Sequence, residues 1–124
     1  MRKLFLAIVT LLALAAPAHA EEKASDVDYQ GCWTIQAMAT SGLRKSMQAN
    51  RDCRKQAVVK EMKAFDDPME CVRKYVRAYN VNRGHSEHAK VGSFVVDTIA
   101  RGCLTLKMGK VITEAEFKRM FPGS

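Results

Sequence analysis

The chain has no C-x-x-C pair, which removes the thioredoxin-type redox site and the haem-attachment motif from consideration. It has no glycine-rich phosphate loop, no Ser/His/Asp pattern and no spaced pair of inward carboxylates. Asp66 and Asp67 are adjacent and suit helix capping instead. Nothing in these residues demands catalysis, so the expectation is a non-enzymatic protein with no cofactor. Apolar residues recur at helical rather than alternating spacing, which argues against strands. No internal repeat, low-complexity tract or linker divides the chain.

One long apolar run is present, from Leu4 to Ala16. Arg2 and Lys3 precede it, and Ala18 and Ala20 stand just before Glu21-Glu22. The run is too short to span a bilayer comfortably, and its flanks are those of a cleavable export signal over residues 1–20. The expected product is a single helical domain from Glu21 to Ser124, without stable membrane insertion. The style of the signal points to a Gram-negative periplasm, with secretion further outward as the other destination. Of 20 Lys and Arg, two leave with the signal, so 18 stand against 13 acidic residues, a balance of +5. For an exported protein that charge suits acidic proteins or the anionic envelope surface, and not nucleic acid.

Cys32, Cys53, Cys71 and Cys103 all follow the signal. An even number in a small exported domain predicts two disulfides, each contributing about 2–4 kcal/mol. Such a compartment would oxidise a free catalytic thiol.

The helical pattern begins near Val27 and runs to Ala39, carrying Cys32, Trp33, Ile35 and Met38 as core candidates. Ser41-Gly42 marks a break; Leu43 to Asn50 carries no pattern that decides between helix and loop. A second helix is expected from about Arg51 to Phe65, with Val58, Met62 and Phe65 on one side. Asp67-Pro68-Met69-Glu70 reads as the start of a third: N-cap, first-turn proline and capping box. In "DDPMECVRKYVRAYN", Val72, Tyr75, Val76 and Tyr79 form the core stripe, leaving Arg73, Lys74 and Arg77 on the solvent side. A loop from Asn80 to His85 contains Gly84. Ser86 is expected to cap a fourth helix reaching Met108, burying Val91, Phe94, Val95, Thr98, Ile99 and Leu106, with Gly109 ending it. Thr113 and Glu116 form another capping box ahead of Phe117, Met120 and Phe121. The fold class is all-α, a disulfide-stapled bundle of four to five helices.

His85 and His88, in "GHSEH", are the histidines left beyond the signal. Three residues apart, they can chelate a metal on a helix, yet no third ligand stands at a recognisable spacing. The reading is therefore a polar loop-to-helix junction with no metal.

Taken together, these segments resemble the periplasmic immunity proteins that protect bacteria with type VI secretion from peptidoglycan amidase effectors. Members carry a Cys in the first helix, a D-P helix start, a Y-x-x-x-Y helix, a polar loop and a late helix containing C-L-x-L. The matching residues are Cys32, Asp67-Pro68, Tyr75 with Tyr79, the loop from Asn80 to Ser86, and Cys103-Leu104-Thr105-Leu106. Cys53 and Cys71 are additional to that pattern, and Ser41 to Asp52 has no clear counterpart. The resemblance implies an all-helical homodimer that binds a secreted amidase and plugs its cleft. The position-matched binding residues are Asn82, Arg83, Gly84, His85, Ser86, Glu87 and His88, backed by Arg73, Lys74 and Arg77.

The resemblance also joins Cys32 to Cys103, leaving Cys53 with Cys71. Plain hairpin geometry prefers Cys32 with Cys53, each about ten residues from Gly42. A Cys53–Cys71 bridge across a turn at Asp66 would miss helical registry by roughly 12 Å, beyond what a disulfide spans without a crossing angle or a frayed helix. The pairing adopted from the resemblance is Cys32–Cys103. Two other non-catalytic roles fit the composition: a helical adaptor of a secretion or conjugation apparatus, and a small envelope stress chaperone using its methionines for promiscuous contact.

Overall fold

The computed structural model describes residues 22–123; the export signal read over residues 1–20 lies outside the described residues. Six helices follow one another within them: α1 (Asp26–Ala39), α2 (Leu43–Cys53), α3 (Gln56–Lys63), α4 (Pro68–Asn82), α5 (Ser93–Met108) and α6 (Glu114–Met120). No strand is present among the described residues, only an isolated bridge between Lys23 and Lys55. The chain is an all-α, disulfide-stapled bundle.

The centre of the bundle is the crossing of α1 and α5. Two glycines let the helices meet there. A Cβ on Gly102 would lie 2.6 Å from Ile35 Cγ1 and 3.0 Å from the Gly31 carbonyl; one on Gly31 would lie 2.9 Å from Leu106. Ile35, Ile99 and Leu106 fill the space around this contact and are buried to 0–2% exposure. Each such side chain contributes about 1.5–3 kcal/mol by leaving water. Met62, Val72 and Tyr75 extend the same core from α3 and α4. Burial, and next the negative charge of Glu61, raise the Tyr75 hydroxyl above its ordinary 10.0.

Local chemistry accounts for three of the six helix starts and for the end of α5. Ser25 Oγ accepts from Asp28 N–H (3.1 Å) at the start of α1. Asp67 accepts from Met69 N–H (2.9 Å) with Pro68 in the first turn of α4. The reciprocal side-chain bond expected from Glu70 is replaced by its backbone N–H on the Asp67 carbonyl (2.9 Å). Thr113 and Glu116 form the expected capping box on α6, and Gly109 closes α5 in the left-handed region at φ 72°. Glu116, held first by Lys110 and then by Thr113, titrates below its ordinary 4.5.

Four expectations, the cysteine pairing among them, are corrected. The helix expected over Arg51 to Phe65 is two helices. Lys55 is extended (φ −102°, ψ 132°), and strand-like hydrogen bonds from residues 22–24 cross the junction: Ala24 N–H to Arg54 O and Gln56 N–H to Glu22 O, both 2.9 Å. The loop begins at Arg83 and not at Asn80, because α4 continues to Asn82. α5 starts at Ser93 behind Gly92, seven residues after the expected Ser86 cap, which places Phe94 in the first turn at 72% exposure. Met108, at the last turn of α5, is 50% exposed, and Met120 and Phe121 are 45% exposed each.

The disulfides are Cys32–Cys53 (Cα–Cα 5.6 Å) and Cys71–Cys103 (6.1 Å), so the Cys32–Cys103 and Cys53–Cys71 pairing is not formed. The reason lies in the crossing. Gly31 and Gly102 occupy the contact line of α1 and α5, and the next residue on a helix points about 100° away. Cys32 thus turns toward α2 and Cys103 toward α4. The hairpin turn at Gly42 (φ 93°) brings Cys53 back beside Cys32.

Candidate functional site

The expected partner-binding residues of the loop divide into three groups. Asn82 and Arg83 build the scaffold. Asn82 is half-buried and its Nδ2 donates to Ala39 O (2.7 Å), tying the end of α4 to the end of α1. The Arg83 guanidinium lies 3.9 Å from the centre of the Tyr79 ring and reaches Tyr79 O (3.4 Å). Gly84 takes φ 76°, a turn conformation that an L side chain rarely adopts. His85, Ser86, Glu87 and His88 then form an exposed tip, with His88 Nε2 3.1 Å from Glu87 Oε1. Among the described residues no three His, Cys, Asp or Glu side chains group as a metal site.

The tip is irregular in conformation but anchored from beneath by Asn80, a residue absent from the expected site. Asn80 is 1% exposed. Its Nδ2 donates to Glu87 O (3.2 Å) and to Ala89 O (2.9 Å), while its own carbonyl accepts from His85 N–H (2.9 Å). Three loop backbone groups therefore end on one buried residue. Its Oδ1 is buried without a partner, a cost that the two donated bonds offset. The sequence carries a signal for this: Val72, Val76 and Asn80 share one helix face at four-residue spacing, and a polar residue at the end of a core stripe needs a local partner.

Beside the tip, α4 and α5 leave a groove of about 320 Å³, with Val72, Val76, Ala89 and Val96 along its floor and Arg73, Arg77, Glu87 and His88 at its rim. Arg73 and Arg77 are exposed, one turn apart, and neither makes an ion pair among the described residues. Like charges at this spacing repel weakly, so a carboxylate from outside gains two unneutralised guanidinia. Lys74, expected on the same surface, is elsewhere. Its ammonium sits 5.6 Å from the Phe65 ring and 5.5 Å from the Tyr75 ring, toward α3.

Trp33 is not fully in the core. It is half-buried and, with Leu43 and Met47 of α2, lines a second hollow of about 410 Å³ between α1 and α2.

Comparison of the chain with protein-family models, with curated proteins and with solved structures gave no match.

Proposed function

We propose that this chain is a non-enzymatic binding protein of the periplasm that neutralises a secreted peptidoglycan amidase, by placing the loop over residues 83–92 in the enzyme's cleft. The observation that carries this reading is the Asn80 anchor. An exposed tip whose backbone is already hydrogen-bonded into a cross-linked scaffold loses little conformational entropy when it docks, and that is what a cleft-plugging inhibitor needs. Two further features support it. The neighbouring groove offers an apolar floor with a cationic rim, a surface that can extend the contact beyond the tip. Arg73 and Arg77 would also steer an acidic enzyme toward the loop and speed encounter.

The test is light scattering after size exclusion on the processed protein, alone and mixed with the product of the adjacent gene, together with peptidoglycan hydrolysis by that product. The expected result is a stable complex in which hydrolysis is lost. No complex, or a partner inert on peptidoglycan, removes the reading.

A further inference from the structure

The outer face of α2 is not used by the proposed inhibitory contact, and it has a different character. Leu43 is 79% exposed and Met47 51% exposed, one turn apart on the same face. Trp33 of α1 sits beside them, so three large apolar side chains share one surface. The helix buries only Ala49 and Cys53 among its own residues. Packing alone gives no reason for leucine and methionine at these outward positions.

α2 and its C-terminal end carry mostly positive charge, and Arg51 lines the hollow beside Leu43 and Met47. Arg44, Lys45 and Arg51 lie on α2, with Arg54 and Lys55 directly after it, against the single acid Asp52. Asp52 is engaged, its Oδ1 accepting from Gln48 Nε2 (2.8 Å). Arg54 stacks 4.8 Å from the centre of the Tyr29 ring. Neither Arg44 nor Lys45 makes an ion pair among the described residues.

We propose that α2, together with Trp33, is a docking face for an anionic lipid surface. A mostly polar helix whose narrow apolar edge carries Leu, Met and a neighbouring Trp, flanked by Lys and Arg, has the composition of an in-plane interfacial helix. The apolar side chains enter the headgroup boundary while the arginine and lysine stems reach along it to the phosphates. A second copy of this chain does not fit the face, because it would bring the same cationic flank against itself. The protruding Leu43 side chain favours a surface that yields around it over a rigid protein cavity. The short apolar edge makes the attachment reversible and dependent on lipid charge. The protein would then work at the membrane side of its compartment without crossing it. No described helix is long and apolar enough to cross a membrane.

Trp33 is the chain's one tryptophan, so the face carries its own reporter. Protein purified after export is titrated with vesicles of equal parts phosphatidylcholine and phosphatidylglycerol, and with pure phosphatidylcholine vesicles, while Trp33 emission is followed. Polyglutamate is the protein-like control. The expected result is a blue shift with the anionic vesicles alone, with partitioning about tenfold weaker as salt rises from about 0.05 to about 0.3 M. L43S/M47S and, separately, R44E/R51E should each weaken partitioning about tenfold or more. All four positions are exposed, and an unchanged circular dichroism spectrum shows that the variants fold. Absence of a shift with anionic vesicles overturns the proposal. So does equal binding to neutral vesicles, binding unaffected by either variant, or a response to polyglutamate alone, which would assign the face to an acidic protein.

Discussion

The α1–α5 crossing and the α1–α2 hairpin share one helix but are held by different means. At the crossing, glycines on both helices allow near-contact of the backbones, and Ile35, Ile99 and Leu106 close the space completely. At the hairpin, α2 offers the core little beyond Ala49 and Cys53, and the Cys32–Cys53 bridge does what packing does elsewhere. A helix held by a covalent link need not spend its apolar residues on its own core. That leaves Leu43 and Met47 outside, whereas every large residue at the crossing is committed.

Replacing Cys32 and Cys53 by alanine should separate the two regions most strongly. Opening a 21-residue separation costs about 3 kcal/mol in the chain-entropy account. Amide exchange should rise across α2 well before it rises at the α1–α5 crossing. Equal loss of protection in both would show that the hairpin is packed as well as stapled. At the crossing itself, Gly102→Ala should cost about 1–3 kcal/mol in denaturant unfolding, because the new methyl meets Ile35 and the Gly31 backbone. Gly123→Ala, with open space around it and outside every helix, serves as the control. Asn80→Ala should cost about 1 kcal/mol, the lost bonds being partly offset by removal of an unpartnered carbonyl. Exchange should increase from His85 to Ala89 and leave α1 and α5 unchanged.

The smallest effect is expected at α6. The folded protein holds Glu116 below its ordinary 4.5, so its contribution is present above that value and fades as pH falls through the lowered one. Glu116→Gln should therefore lower Tm slightly at about pH 7, and the difference from wild type should shrink as pH falls through the lowered value. A difference that persisted in acid would assign the effect to helix propensity rather than to charge.

Local signals were legible where one residue type settles the backbone by itself. Asp67-Pro68, the Thr113/Glu116 box and Gly109 all stand where their chemistry places them. Boundaries set by distant partners were not legible. Nothing near Lys55 announces that residues 22–24 will pair across it, and Gly92 starts α5 with no side-chain cap to mark it. The disulfides divide the same way. Hairpin geometry about Gly42 indicated Cys32–Cys53, while the resemblance indicated the other pairing, because spacing along a chain does not record which way a cysteine faces. For the candidate site, exposure of His85 to His88 and of Arg73 and Arg77 followed from polarity. Lys74 is exposed as its polarity implies but leans toward the rings of Phe65 and Tyr75, and Asn80 was overlooked because its partners lie in the loop it holds.

In the proposed complex the anchored loop, and not the α2 face, engages the amidase. Calorimetric titration of the adjacent gene's product into wild-type protein, into H85A/E87A/H88A and into L43S/M47S tests this arrangement directly. Binding at least about tenfold weaker is expected for the loop variant, and wild-type affinity for the α2 variant. Wild-type affinity for the loop variant would contradict it.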